Sequence, residues 1–259
     1  MNYNTLKYHT ESGITTISLN RPDRYNAFNF EMSKELQDAL AVAREDENCR
    51  VVVFTGEGKA FCSGQDLKDI VGTDKGFAEI VYECYNPIVK AMRSMPKPII
   101  CRLNGIAAGA GCSLVLASDY TVASDSANLI EVFINVGLVL DSGSSFFLPR
   151  VVGTNKAFEL ATMGSKVTAQ QAVDLGMINK AVPSELLDEE VHKVAAYYAS
   201  APTKAIGMIK EMLNKSTYST LDDMLELEAK YQEIAGNSDD YKEGLAAFSE
   251  KRKPNFSGS

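Results

Sequence analysis

The feature that most constrains the fold of this chain is the alternation of short apolar strands with long helical patterns through residues 1–200. Ile14–Leu19 alternates in the manner of a strand, and Val51, Val52, Val53 and Phe54 form a fully apolar one that ends at Thr55 and Gly56. Between them, residues 30–47 carry Met32, Leu36, Ala39, Leu40 and Ala43 at helical spacing. Residues 98–103 and 120–123 read as further short buried strands, and residues 75–95 as a long helix bent at Pro87. Strands and helices in this order predict an α/β core with a sheet covered by helices. From Pro202 onward strand signals cease. Helices are expected over 204–213, 221–235 and 241–248, and their apolar stripes predict a region, 201–259, that supports self-association.

A chain of 259 residues, 45% hydrophobic, can bury a substantial core as one domain with an appendage or as two small domains. A charged fraction of 23% is ordinary for a globular protein and argues against wholesale disorder. The net charge of −8 argues against a nucleic-acid partner, which needs a basic face. An anionic ligand needs only local positive charge or helix N-termini. Residues 1–4 lack a signal-peptide pattern, and no apolar run approaches the ~20 residues of a membrane helix. Cys49, Cys62, Cys84, Cys101 and Cys112 are odd in number and unpaired in spacing, so they read as reduced thiols of a cytoplasmic protein. His9 and His192 alone offer little for a metal site or a Ser-His-Asp triad.

Three segments carry the chemistry. The first centres on Asp141, which follows Gly137, Leu138, Val139 and Leu140 and precedes Ser142 and Gly143. An isolated Asp-Ser-Gly reads as a helix N-cap. Among apolar neighbours the same carboxylate would have a raised pKa, suited to accepting and returning a proton. The second is residues 59–67, which follow a buried strand and turn at Gly64. The third is residues 104–113, where Gly105, Gly109 and Gly111 precede a helix. Small residues at such a helix start let a ligand approach the peptide N–H groups, which can bind an oxyanion. The glycine spacing fits neither a dinucleotide fingerprint nor a phosphate loop.

Several stretches together resemble the crotonase superfamily, the enoyl-CoA hydratase/isomerase family, over essentially the whole chain. They are Leu19-Asn20-Arg21-Pro22 with Asn26-Ala27, then Phe61 to Leu67, Lys97-Pro98, Asn104-Gly105, Gly109-Ala110-Gly111, Gly137-Leu138, Leu148-Pro149-Arg150, and Phe248 to Arg252. The resemblance implies a spiral of ββα units followed by helices that build a homotrimer or hexamer. It implies an acyl-CoA thioester substrate and no metal or redox cofactor, coenzyme A being part of the substrate. It assigns the oxyanion hole to the main-chain N–H groups of Ser63 and Ala110. It places Arg24, Ala27, Ser63, Gln65, Asp66, Leu67, Phe248 and Lys251 at the coenzyme, the last two reaching a neighbouring subunit. The acyl pocket is expected to take its shape from residues 67–77 with Phe133, Phe146 and Phe147. Arg24, Lys59 and Lys68 read equally as surface charges.

The departures from the family pattern bear on the reaction. The two glutamates of the hydratases correspond to Ser113 and Phe133, which cannot share the acid and base work of hydration. Glu131 lies two residues from the second of these positions, where a local rearrangement would be needed to use it. Asp141 stands where phenylacetate-pathway isomerases, of ring-epoxide/oxepin and enoyl-CoA type, carry their catalytic aspartate. A single carboxylate suits a double-bond shift, which returns the proton it removes. Three alternatives stand beside this: an enoyl-CoA hydratase, an aromatic acyl-CoA dehalogenase and an inactive scaffold. The second would need a histidine that the stretch 82–95 lacks. Asp66 reads as a brace of its turn, and Cys62 and Cys112 as packing groups.

Overall fold

The computed structural model describes residues 2–71 and 73–259; Met1 and Gly72, the latter within the 67–77 stretch expected to shape the acyl pocket, lie outside the described residues. Its strands, in chain order, are β1 (Leu6–Glu11), β2 (Ile14–Leu19), β3 (Val51–Gly56), β4 (Ala60–Cys62), β5 (Ile99–Leu103), β6 (Ile106–Ala108), β7 (Tyr120–Ser124), β8 (Asn128–Ile130), β9 (Val167–Thr168) and β10 (Lys180–Val182). They form a six-stranded sheet, β1-β2-β3-β5-β7-β10, and a four-stranded sheet, β4-β6-β8-β9. The pairs β3/β4, β5/β6 and β7/β8 each give one strand to each sheet. The chain therefore winds as a spiral, stepping once along both sheets per turn. Neighbours β4, β6 and β8 run parallel, so their carboxyl ends open on one edge.

The apolar strand β3 is buried along its whole length because both faces are covered. Val52 and Phe54 enter the main core with Ile17, Met32, Leu36 and Ile88. Val51 and Val53 face the other way, toward Leu187, Val191 and Ala195 of a helix described below. That is the period of two expected of a strand.

The helices are α1 (Phe30–Glu45), α2 (Leu67–Val71), α3 (Phe77–Ile80), α4 (Asn86–Ser94), α5 (Ala110–Ala117), α6 (Ser144–Val152), α7 (Thr154–Met163), α8 (Ala169–Asp174), α9 (Leu187–Ala199), α10 (Thr203–Ser216), α11 (Leu221–Gly236) and α12 (Asp239–Glu250). α1 opens where Asn29 accepts a hydrogen bond from Met32 N–H at 2.9 Å. The last three fall where the tail pattern predicts helices. The long helix expected over 75–95 is present and runs without a gap over residues 77–94, but a π turn, Val81–Tyr85, joins α3 to α4, with Pro87 in the first turn of α4. Proline has no N–H to give to the preceding turn, and the wider π turn lies where that hydrogen bond would otherwise be made. The expected bend thus takes the form of a widening of the helix just ahead of Pro87, and Cys84 and Tyr85 on it are buried. No helix among the described residues is long and apolar enough to cross a membrane.

Candidate active site

The turn after β4 is held by the segment before α1. Arg21 and Asn26 brace it: Asn26 Oδ1 accepts from Arg21 N–H at 2.9 Å, and its Nδ2 donates to the carbonyls of Glu57 and Ala60 at 2.9 and 2.8 Å. Tyr25 and Asn26 take left-handed backbone angles, φ 50° and 55°, which fold this segment onto the turn. Phe28 N–H then donates to the Gly64 carbonyl and Asp66 N–H to the Phe28 carbonyl, both at 2.8 Å. In such a parallel bridge the Gln65 N–H points to the opposite side.

This corrects the assignment of Ser63. Its N–H donates to the Tyr25 carbonyl at 3.0 Å and is spent on holding the turn. The free main-chain donor of this turn is that of Gln65. The Gln65 side chain is tied down as well, donating to the Phe28 carbonyl at 3.0 Å and accepting from the Tyr85 hydroxyl.

Ala110 is the first residue of α5, and its N–H has no partner inside the helix. Gly109 precedes it with φ 52°. The two turns press together: a Cβ on Gly64 would stand 3.0 Å from the Ala108 carbonyl oxygen and 3.9 Å from Ala110 N, and one on Gly111 only 2.3 Å from the Cys62 carbonyl oxygen. Glycine is required at Gly111 by close approach, and at Gly64 by φ 97° together with the tight contact.

Asp141 does not cap a helix. α6 begins at Ser144, and its N-cap is Gly143, with no side-chain cap bond. The Asp141 carbonyl accepts from Ser144 N–H at 3.0 Å, and its Oδ1 accepts from the Ser142 hydroxyl at 2.8 Å. Ser142 is held at φ 51°, a left-handed angle unusual for serine, and Gly143 follows at φ 86°. Burial pushes the Asp141 carboxyl above the ordinary range, against the Ser142 bond that lowers it. Of the apolar residues just before it in sequence, Val139 is 84% exposed and contributes nothing to this burial, whereas Leu138 does. Asp141, Gln65, Ala110, Tyr85, Phe133 and Leu138 line one cavity of about 200 Å³, closed further by Leu67, Ile70, Phe77 and Ile80. Tyr85, brought in by the π turn, is the residue that sequence reasoning missed. Burial first, then the Asp141 charge, pushes its phenol well above the usual range.

The remaining sites divide. Ser63, Gln65, Leu67 and Phe133 line the cavity; Ala27 is buried behind the turn and Arg24 is exposed beside it. Asp66 braces the turn: although burial raises its pKa, the Arg21 guanidinium, 3.0 Å away, and Lys68 N–H hold it below the carboxylate range. Phe146 is a correction, because it lies outside this cavity. It stacks under the Arg150 guanidinium at 3.6 Å and faces a separate cleft with Phe147, Arg93 and Tyr231. α6 turns that face of the helix away from Asp141. Phe248, 86% exposed, and Lys251, at φ 55°, lie at the end of α12 and do not line the Asp141 cavity. Burial of Cys62 pushes its thiol up to about 12, and that of Cys112 well above the usual value, consistent with packing roles. Among the described residues no group of three or more His, Cys, Asp and Glu side chains is placed to share a metal ion.

Two peptide N–H groups and one half-buried carboxylate thus share an apolar cavity, the arrangement of a site that binds an oxyanion and moves a proton. The Enoyl-CoA hydratase/isomerase family model matches residues 9–259. The chain is 41% identical over 254 residues to the 1,2-epoxyphenylacetyl-CoA isomerase of Escherichia coli K12, covering 96% of this chain and 97% of that one. It is 31% identical to the trans-2-decenoyl-[acyl-carrier-protein] isomerase of Streptococcus mutans over the full length of both. An enoyl-CoA hydratase structure from Bacillus anthracis superposes with a TM-score of 0.92 at 33% identity, covering 99% of this chain and 100% of that one. The chain belongs to the enoyl-CoA hydratase/isomerase family and has the crotonase fold. It is an enzyme of that family.

Proposed function

We propose that this enzyme is an acyl-CoA isomerase that moves a double bond into conjugation with the thioester, using Asp141 as the single base. Asp141 takes a proton from C2 of a β,γ-unsaturated thioester. The C–H electron pair enters the dienolate, and the negative charge on the thioester oxygen is held by the Gln65 and Ala110 N–H groups. Asp141 then returns the proton to C4, leaving the double bond between C2 and C3. Two preorganised donors at a developing oxyanion lower such a barrier by several kcal/mol. No metal or redox cofactor enters this scheme.

The observation that carries the reading is that Asp141 is the one carboxylate among the residues lining the cavity, while the hydratase positions hold buried Ser113 and Phe133. The E. coli relative, named as an isomerase of a ring-epoxide thioester, adds that substrate class to the test. We place Arg24 and Ala27 at the coenzyme, with Phe248 and Lys251 reaching a neighbouring subunit. Exposed Ile209, Leu213, Leu221, Leu225 and Leu245 on the C-terminal helices support a homotrimer or hexamer. The test is a paired assay of wild type and Asp141→Asn on 3-enoyl-CoA and on a ring-epoxide acyl-CoA, with hydration of 2-enoyl-CoA alongside. Isomerisation should fall by at least ~10³-fold in the variant, as expected when the sole base is lost. Strong hydration that survives the substitution would overturn the proposal.

A further inference from the structure

Behind the cavity wall lies a second carboxylate that the scheme above does not use. Glu131 follows β8, is 2% exposed, and is absent from the cavity lining. Its Oε1 is 2.8 Å from Ser144 Oγ, which is 2.8 Å from Ser113 Oγ. Ser113 Oγ is in turn 3.2 Å from the carbonyl oxygen of Asp141 and 3.2 Å from that of Gly109. Both serines are fully buried. A chain of hydroxyls therefore runs from Glu131 to the main chain of the proposed base.

Each hydroxyl carries one proton, and counting them selects a protonation state. If Glu131 is ionised, Ser144 must donate to it. Ser113 can then donate either to Ser144 or to a carbonyl, so two hydrogens serve four contacts, and either the link between the serines or the link from Ser113 to the main chain goes without one. Glu131 Oε2 would also be an anionic oxygen with no hydrogen-bond partner. If Glu131 carries a proton on Oε1, it donates to Ser144, Ser144 to Ser113, and Ser113 to a main-chain carbonyl. Every hydroxyl then both accepts and donates, and the bare Oε2 is a neutral oxygen, much cheaper to leave unpaired than a charged one.

Resting on the reading of Asp141 as the base, we propose that protonated Glu131 is a positioning residue that fixes the Asp141 main chain through Ser144 and Ser113, and that its ionisation releases the base. The titratable groups facing Glu131 are Cys112 from α5 and Asp141 from the turn before α6. Cys112 stays a thiol, and Asp141 is an acid, so neither stabilises a Glu131 anion by opposite charge. Burial pushes Glu131 up to about 7, with the Asp141 charge adding to the rise and hydrogen bonds from Ser144 and Cys112, which favour the ionised form, opposing it. The proton on Glu131 is then lost around neutral pH, and kcat should fall there as pH rises.

The test uses Glu131→Gln, which keeps a donor toward Ser144 and cannot ionise, and Glu131→Leu, which has none. The Gln variant should keep wild-type kcat at about pH 6 and lose the alkaline limb near the wild-type Glu131 pKa of about 7. The Leu variant should lose on the order of 10- to 100-fold in kcat with a smaller change in KM, as when a reacting group is misplaced by about 1 Å. An alkaline limb unchanged in the Gln variant, or wild-type kcat in the Leu variant, overturns the proposal. Infrared difference spectra of wild type minus Glu131→Gln read the same proton without turnover. A carboxylic-acid carbonyl band should be present at about pH 6, vanish by about pH 8, and shift its midpoint downward in Asp141→Asn. Absence of that band at the lower pH also overturns the proposal. A protein that gives the band and its shift yet isomerises no 3-enoyl-CoA would support the Glu131 assignment and overturn the isomerase reading instead.

Discussion

The contact between the two turns sets the geometry of the donor pair, and Gly111→Ala tests it. Intrinsic preference favours alanine in a helix by about 1 kcal/mol. The structure opposes it: the added Cβ would stand 2.3 Å from the Cys62 carbonyl oxygen and 2.8 Å from Cys62 Cβ. Ordinary contact begins at 3.4 Å, so the backbone must separate by about 1 Å. Cys62 cannot retreat into the core, where it is fully buried and pairs with Ala107 across β4 and β6. The displacement must be taken by the adjoining turn or by the start of α5, which carry the Gln65 and Ala110 donors. Overpacking of this kind costs about 1–3 kcal/mol, so after the gain in helix propensity a net loss of about 1 kcal/mol is expected. Moving one donor by that distance should lower kcat on the order of 100-fold, with KM changed less, since the oxyanion exists only along the reaction. The assay is steady-state isomerisation of 3-enoyl-CoA with urea unfolding of the same preparations. A variant as stable as wild type with kcat within a fewfold of it would refute the argument that this contact holds the donor pair.

Asp141 must be ionised to act, and its pKa is raised by burial, so kcat/KM should fall on the acid side with a midpoint above the ordinary aspartate value; a pH–rate profile with a midpoint at or below about 4 contradicts this. Glu131 rises from 4.5 to about 7 on folding, so the native state binds its proton more tightly. Stability should therefore decline as pH climbs through that window, by on the order of 3 kcal/mol, and Glu131→Gln should abolish the decline in urea titrations at both ends. Arg21→Ala removes the partner 3.0 Å from Asp66 and should cost about 3 kcal/mol at neutral pH. Because the Asp66 pKa is depressed in the fold, that loss should shrink as pH falls below about 4 and the carboxylate takes a proton; a gap independent of pH would show that the ion pair is not its source.

What was legible in the sequence is what short stretches of chain decide for themselves. Ile14–Leu19 is a strand with the bounds its alternation predicts, and β3 and the three C-terminal helices fall where periodicity puts them. The turns at Gly64 and Gly109 announce themselves because small residues follow strands there. Contacts between distant segments were not legible. Ser63 and Gln65 both flank Gly64, and only the Tyr25 carbonyl decides which N–H is left free. Pro87 marks a bend in residues 75–95, but the apolar spacing there does not show that the bend is a π turn that swings Tyr85 inward. Phe146 and Phe147 offer an apolar face whichever way α6 is rotated. An acid such as Glu131 reads as a surface residue until Ser113 and Ser144, from two other elements, are seen to close over it.

The spiral explains why these pieces meet. Each turn of the chain adds a strand to the small sheet, and β4, β6 and β8 lie side by side with their carboxyl ends on one edge. Ligands of α/β proteins gather at such edges, because the segments leaving parallel strands converge there. The segment leaving β4 supplies the Gln65 N–H, the one leaving β6 opens α5 at Ala110, and the one leaving β8 carries Glu131 and then Asp141. The first two contributions are main-chain groups, and any side chain that leaves the turns intact preserves them. The third is a side chain, and so are its neighbours at 113 and 133. On the proposed reading, the fold therefore holds the oxyanion site fixed while the proton chemistry is set by a few positions around α5 and the segment before α6. In this chain those positions place one carboxylate in the cavity and a second behind it, joined by two serines. That separation distinguishes the proposed shuttle from a site in which two carboxylates face the same water.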